Sequence, residues 1–358
     1  MKKIRRVLII EDSTLMSKVI RDTLESRDDI EIAGLANTSS EGWEMFKQKR
    51  PDVVTLDINL PDGSGFDILK KIMEERPTPV IVISSITKTN ASETIKAYDL
   101  GAADVMEKPS DILDPNNKTK LSYMALRIRK TADANVKMLA RYAHQKNSSG
   151  PVRSVKSVKK SDKIESLIII ASSTGGTTAL SKMLPLFDKI QRTGIVVIQH
   201  MPPAFTKTFA ANLDKKCNFE IIESNLEESI TGGKGIVAPG GIHLEIVGKE
   251  MTGYYTKFRA GPALHGTKPA ADITLKSVPK EMKIPIAVIV LTGMGKDGSE
   301  GACFLKKRGA LVVIQKPDTC VVSSMPDSVK KICKPDAELE IEKIPGFVQD
   351  WLINVRSG

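Results

Sequence analysis

Three residues of this chain have the types and placing that acyl transfer demands. Ser173 follows the apolar run LIIIAS, His200 closes GIVVIQH, and Asp297 sits in LTGMGKDG after IPIAVIVL. A serine hydroxyl attacks a carbonyl carbon when a base takes its proton, and an acid must hold that base in the right tautomer. Ser173 is centred in Ala171-Ser172-Ser173-Thr174-Gly175, a frame like GxSxG with Ala for the first Gly, whereas the frame around Ser172 has no glycine. A sharp turn from strand to helix of this kind exposes a hydroxyl beside backbone N–H groups that can stabilise an oxyanion. Thr174, next after the candidate nucleophile, and Met294, between Gly293 and Gly295, are the candidate donors. The same stretch also fits a merely structural turn, or a phosphate cradle, although SSTGG lacks both the GxGxxG spacing and the GK[ST] ending. Taken singly, His200 also fits a capping or packed histidine and Asp297 a solvated loop acid. The other histidines are His144, His243 and His265.

A second constellation is acidic. Glu11 and Asp12 follow the run VLII, Asp57 ends VVTLD, Ser84 ends VIVIS, and Lys108 precedes Pro109. Three carboxylates gathered at one sheet edge repel each other. Mg²⁺, which takes carboxylate, carbonyl and water oxygens, relieves that cost. Asp57 would then attack phosphorus while Lys108 and the Ser84 hydroxyl hold the equatorial oxygens. Each residue alone has a plainer reading as a cap, a turn hydroxyl or a surface lysine.

Both constellations require elements that present strand ends together. Apolar runs at 7–10, 53–58, 80–84 and 104–108 alternate with helical patterns at 14–25, 40–49, 65–75 and 91–100. From Ile164 the alternation restarts, with runs at 194–200, 284–291 and 310–314. Strand and helix in alternation predict parallel, doubly wound sheets whose functional loops lie at the carboxyl ends of the strands. Residues 217–260, with GGKG, PGG and VGKEMTGYY, read as an antiparallel portion containing a hairpin. One amphipathic helix is expected through Leu121, Met124, Ile128, Ala132, Val136 and Leu139. Residues 146–163 read as a mobile basic tether.

The 358 residues divide on this reading into 1–130, a helix end and linker at 131–163, and 164–358. The formal charge of +10 resides in residues 112–163, where thirteen Lys or Arg face three Asp. Elsewhere the charges balance, and aromatic content is 4%, so a nucleic-acid partner is not expected. No apolar run is long enough to insert in a membrane. Cys217, Cys303, Cys320 and Cys333 are far apart without a CxxC pair, so reduced thiols and a cytoplasmic location are expected.

The segments IIEDS (9–13), LDINLPDGSG (56–65), VIVIS (80–84) and EKP (107–109) together resemble the receiver domain of two-component response regulators. The resemblance implies that Asp57 is the phosphoacceptor, that Mg²⁺ is held by Glu11, Asp12, Asp57 and the carbonyl of Asn59, and that Ser84 and Lys108 bind the phosphoryl group. Val105 stands where many receivers carry an aromatic switch residue. SSTGG, VIQHMPPAFT, APGGIHLEIV, HGTKPAAD and LTGMGKDG resemble the catalytic domain of the chemotaxis protein-glutamate methylesterases. Departures are Ala171 for a usual Gly, Thr177-Thr178 for a frequent Pro, and Ala270 for a frequent Ser. This second resemblance implies Ser173 as nucleophile, His200 as base, Asp297 as orienting acid and Met294 N–H as oxyanion donor, with His243 and His265 structural or at the substrate's edge. It also implies methyl-accepting chemoreceptors as substrates, a chemotaxis histidine kinase as phosphodonor, and deamidation of receptor glutamines besides ester hydrolysis. A DNA- or protein-binding output, or an inactive esterase-like module, are the alternatives of another class.

Overall fold

The computed structural model describes residues 3–85, 91–108, 118–144 and 161–357. The chain forms two compact units, Met1–Ser148 and Ser149–Gly358. Most of the expected tether, and Pro109, lie outside the described residues.

The first unit runs β1 (Arg5–Ile10), α1 (Thr14–Glu25), β2 (Ile30–Ala36), α2 (Ser39–Lys49), β3 (Val53–Leu56), a short β4 (Asn59–Leu60) and β5 (Gly63–Ser64) pair, and α3 (Gly65–Glu75). It continues with β6 (Val80–Ser84), α4 (Ala91–Asp99), β7 (Asp104–Glu107), α5 (Lys118–Thr131) and α6 (Val136–His144). The main sheet has the order β2-β1-β3-β6-β7, parallel throughout. VLII, VVTL and VIVIS are buried at every position, as strands covered on both faces must be. Strand order reverses between β1 and β3, and the carboxyl ends of those strands open the crevice where such folds bind ligands. Ser13, Thr38 and Ser64 cap α1, α2 and α3 by accepting backbone N–H bonds.

Two expectations need correction here. Strand β2 was missed because IEIAGLA lies at the sheet edge, where only its first and last residues are buried. The helix expected through Leu121–Leu139 is two helices. Residues 132–135 turn between α5 and α6, with Ala134 N–H donating to Thr131 O at 2.9 Å.

The second unit contains β8 (Ser166–Ser172), α7 (Gly176–Met183), β9 (Thr193–Gln199), α8 (Pro203–Lys216), β10 (Glu220–Glu223), β11 (Glu227–Ser229), β12 (Lys234–Val237), β13 (His243–Lys249) and β14 (Gly253–Arg259). After these come α9 (Ala271–Ser277), β15 (Ile286–Val290), α10 (Ser299–Lys306), β16 (Leu311–Gln315), α11 (Ser324–Ile332), β17 (Ala337–Leu339) and α12 (Ile344–Ser357). Seven strands form a parallel sheet in the order β10-β12-β9-β8-β15-β16-β17. The hairpin β13–β14 and β11 form a separate antiparallel sheet. Every residue of β8, β9, β15 and β16 is buried, so the middle of the sheet is the core. No described helix is long and apolar enough to cross a membrane.

The expectation of four reduced thiols is also corrected. Cys303 within α10 and Cys333 just after α11 are disulfide-bonded, with Cα atoms 5.7 Å apart. Thirty residues separate them, and only the packing of the two helices brings them together. Cys217 and Cys320 are free and buried.

Candidate functional site

Register builds the first site. Ser172 pairs with Gln199 across β8 and β9, and Ala171 pairs with Val290 across β8 and β15, so the residues that follow each strand emerge side by side. His200 N–H donates to Ser172 O at 3.1 Å, and Ser173 N–H donates to Thr292 O at 3.1 Å. The two serines differ sharply in their surroundings. Ser172 is 0% exposed and its hydroxyl donates to Gln199 Oε1 at 2.6 Å. Ser173 retains 6% exposure, and its hydroxyl has no hydrogen bond among the described residues.

His200 and Asp297 meet at 2.7 Å, Nε2 to Oδ2. Asp297 also accepts the N–H groups of Ala271 (2.6 Å), Asp272 (2.9 Å) and Gly298 (3.0 Å). Burial pushes the Asp297 carboxyl up, but the hydrogen bond and charge of His200, with the two N–H groups from α9, outweigh it and hold the acid below its ordinary range. An ionised Asp297 keeps a proton on Nε2 and leaves Nδ1 with the lone pair. Nδ1 is buried and without a hydrogen-bond partner. An unpartnered ring nitrogen is what a candidate base needs to accept a hydroxyl proton, although no bond joins it to Ser173 in this geometry.

The glycines act by close approach. A Cβ on Gly293 would lie 2.1 Å from Met325 Sδ and 2.8 Å from Ser173 Cβ. Gly175, at φ +77°, is the residue just before α7, and a Cβ there would lie 2.6 Å from Val321 Cβ. Of the candidate oxyanion donors, Thr174 is buried, while Met294 is half-buried with an N–H that has no partner among the described residues. Ser173 N–H is engaged by Thr292 O and is unavailable for that role.

Several supporting residues escaped the sequence reading. Gln199 donates from Nε2 to Ser173 O and His200 O, both at 3.0 Å, and so ties the turn of Ser173 to His200. Ser324, opening α11, accepts Gly295 N–H at 3.0 Å and donates to Gly293 O at 2.9 Å, which shapes the loop around Met294. Thr292 Oγ1 donates to Thr174 O at 3.0 Å. The polar Gln inside the apolar run VIQH was the one visible signal. His243, 0% exposed, accepts Ala270 N–H at Nδ1 and donates to Pro262 O from Nε2, a structural link between the hairpin and the start of α9.

The second site lies in the first unit. Glu11 and Asp57 are buried just past β1 and β3, Asp12 is exposed, and carboxylate oxygens of all three lie within 4.8 Å of one another. Lys108 Nζ bonds Glu11 Oε1 and Asp57 Oδ2, each at 2.6 Å. The Lys108 N–H donates to Ser84 O at 3.0 Å, so the end of β6 holds the lysine in place. Asp57 Oδ1 accepts Asn59 N–H at 3.1 Å. Burial pushes the Glu11 carboxyl up to about 7; Lys108 opposes this and the charge of Asp57 adds to it. Glu11 Oε2 is buried without a partner. An orphan carboxylate oxygen facing two more acids fits a hard divalent cation.

Residues 168–348 match the family model described as CheB methylesterase, and residues 7–115 match the response regulator receiver domain. A Bdellovibrio bacteriovorus protein named protein-glutamate methylesterase/protein-glutamine glutaminase is 37% identical over 341 residues, covering 95% of each chain. A Pyrococcus abyssi protein of the same name is 35% identical over 356 residues, covering 99% of this chain and 95% of its own. The crystal structure of the Thermotoga maritima CheB methylesterase catalytic domain shares 34% identity, with a TM-score of 0.49, over 53% of this chain and 97% of that one. With both models matched in order and relatives aligned over nearly the whole length, the chain belongs to the CheB methylesterase family, in the form that carries an N-terminal response regulator receiver domain.

Proposed function

We propose that this protein hydrolyses glutamate γ-methyl esters on chemoreceptors, and deamidates receptor glutamines, with Ser173 as nucleophile, His200 as base and Asp297 as orienting acid. The observation that carries this reading is the buried His200–Asp297 bond, which leaves Nδ1 unpartnered, together with a serine pair past the neighbouring strand of which only Ser172 has an engaged hydroxyl. Ser173 Oγ gives its proton to His200 Nδ1 and bonds to the ester carbonyl carbon. The oxyanion formed is met by the Met294 N–H, with Thr174 N–H as the second candidate donor. Collapse breaks the bond to the methoxy oxygen, which leaves as methanol with the proton from His200. Water then gives a proton to Nδ1, attacks the acyl-serine, and releases glutamate as Ser173 recovers its proton. With glutamine the leaving group is ammonia.

Phosphorylation of Asp57 by a histidine kinase is the regulatory input in this reading. Glu11, Asp12, Asp57 and the Asn59 carbonyl would hold Mg²⁺, which supplies neutralising charge for the incoming phosphoryl group. Lys108 and the Ser84 hydroxyl bind the phosphoryl oxygens. The unphosphorylated receiver restrains the esterase. The test is methanol release from methylated receptor membranes, with and without a small phosphodonor. Turnover should vanish in Ser173→Ala, and Asp57→Ala should abolish phosphodonor activation. Fragment 164–358 should exceed the unphosphorylated whole chain, and equal basal rates would refute the restraint.

A further inference from the structure

We propose that His265 and Asp272 form a facing pair that sets the proton affinity of His200 through Asp297. The inference rests on the reading of His200 as the base. Asp272 is fully buried, its backbone N–H donates to Asp297 Oδ1, and its own Oδ1 accepts Gly301 N–H at 2.7 Å. Its second oxygen, Oδ2, makes no hydrogen bond, and His265 Nε2 stands 3.4 Å from it. A ring nitrogen of His265 and carboxylate oxygens of Asp272 and Asp297 all lie within 4.8 Å of one another. Asp297 already accepts from His200 and three backbone N–H groups, so the cluster is a hydrogen-bonded charge network and not a cation site.

The backbone holds His265 there deliberately. Leu264 and Thr267 exchange backbone hydrogen bonds at 3.1 and 3.0 Å, with His265 (φ +54°) and Gly266 (φ +79°) between them. Positive φ at both central residues is the primed-turn geometry, uncommon for a residue with a side chain. Such a conformation persists where surrounding structure enforces it, and it gathers at functional sites.

Burial raises the proton affinity of Asp272, against the Gly301 N–H, and the charge of Asp297 adds to the rise. Asp272 therefore keeps a negative charge best when a donor group faces its free oxygen, and the His265 ring, 3.4 Å from Oδ2, is the group placed there. The other charges nearby balance: Lys276 on α9 pairs with Glu300 on α10 at 2.6 Å, and Lys296 is exposed in the glycine loop. His243, packed near the start of α9, is engaged by Ala270 and Pro262.

Asp272→Asn removes a carboxylate charge from beside Asp297, which disfavours protonated His200, so the acid limb of kcat/KM moves to lower pH by about half a pH unit or more. His265→Gln, at an exposed position, leaves Asp272 unmatched and moves the limb to higher pH. The double variant returns it towards wild type. These profiles are measured on the whole chain with methylated receptor membranes. A lower plateau with an unmoved limb in Asp272→Asn would make Asp272 a structural cap only and overturn the pairing. Should Asp272→Asn not fold, an unmoved or lowered limb in His265→Gln overturns it equally. If wild-type turnover survived Ser173→Ala, the reading of the triad would fail; if turnover needs Ser173 and the limbs stay still, the pairing alone fails.

Discussion

Asp297 Oδ2 lies 2.7 Å from His200 Nε2 and 2.6 Å from the Ala271 backbone nitrogen. One carboxylate thus orients the candidate base and also anchors the start of α9, so removing it should affect both catalysis and folding.

Asp297→Ala should lower kcat about 10³- to 10⁴-fold, as loss of the orienting acid does in other triads. The pH dependence of the stability loss has a definite sign. The folded carboxyl is held below its unfolded value, so its stabilisation is fully present above about pH 4 and is lost as pH falls through the folded value. The Tm gap between wild type and Asp297→Ala should be widest near neutrality and should close below about pH 4. Thermal melts from pH 7 to pH 3 check this; a gap that widened on acidification would contradict it.

Ser173→Ala and Ser172→Ala should separate activity from stability. Ser173→Ala removes an unengaged hydroxyl, so turnover is abolished while Tm is held. Ser172→Ala breaks the buried bond to Gln199 Oε1, costing about 1 kcal/mol of stability and leaving much of the turnover. Denaturant melts beside methanol release distinguish the two, and the reverse ranking would mean that the nucleophile is Ser172.

Gly293→Ala should act on the candidate nucleophile by contact. The new methyl would lie 2.1 Å from Met325 Sδ, 2.8 Å from Ser173 Cβ and 3.0 Å from Ser173 N. A displacement of Ser173 approaching 1 Å lowers kcat by about a hundredfold. Gly346→Ala, where an added Cβ meets nothing within 4 Å, is the control and should leave kcat unchanged.

Reducing Cys303–Cys333 should destabilise the second unit. The bridge spans 30 residues, for which loop-closure entropy gives about 3–4 kcal/mol. Urea melts with and without dithiothreitol should show the loss in wild type, and Cys303→Ser should melt alike in both. Identical wild-type midpoints would show that the bridge adds no stability.

Much of this molecule was legible in order along the chain. Buried runs such as VLII and LIIIAS, followed by acids or serines, located the strands and the loops at their carboxyl ends, because period-2 and period-3.6 patterns are written in adjacent residues. The edge strand IEIAGLA carried too little burial to register. The turn at 132–135 was hidden by helix-like spacing on both sides of it.

What the sequence by itself determined was the two α/β units, the strand-end placing of Ser173, His200 and Asp297, and the acid set around Asp57. Only the tertiary structure decided which serine is engaged, which imidazole nitrogen is left without a partner, and that Cys303 meets Cys333. The same holds for Gln199, Ser324, Asp272 and His265, whose partners are set by strand register and helix packing. A hydroxyl or carboxylate is defined by what stands within about 3 Å of it, and here such a neighbour can lie 118 residues away along the chain, as Thr174 does from Thr292.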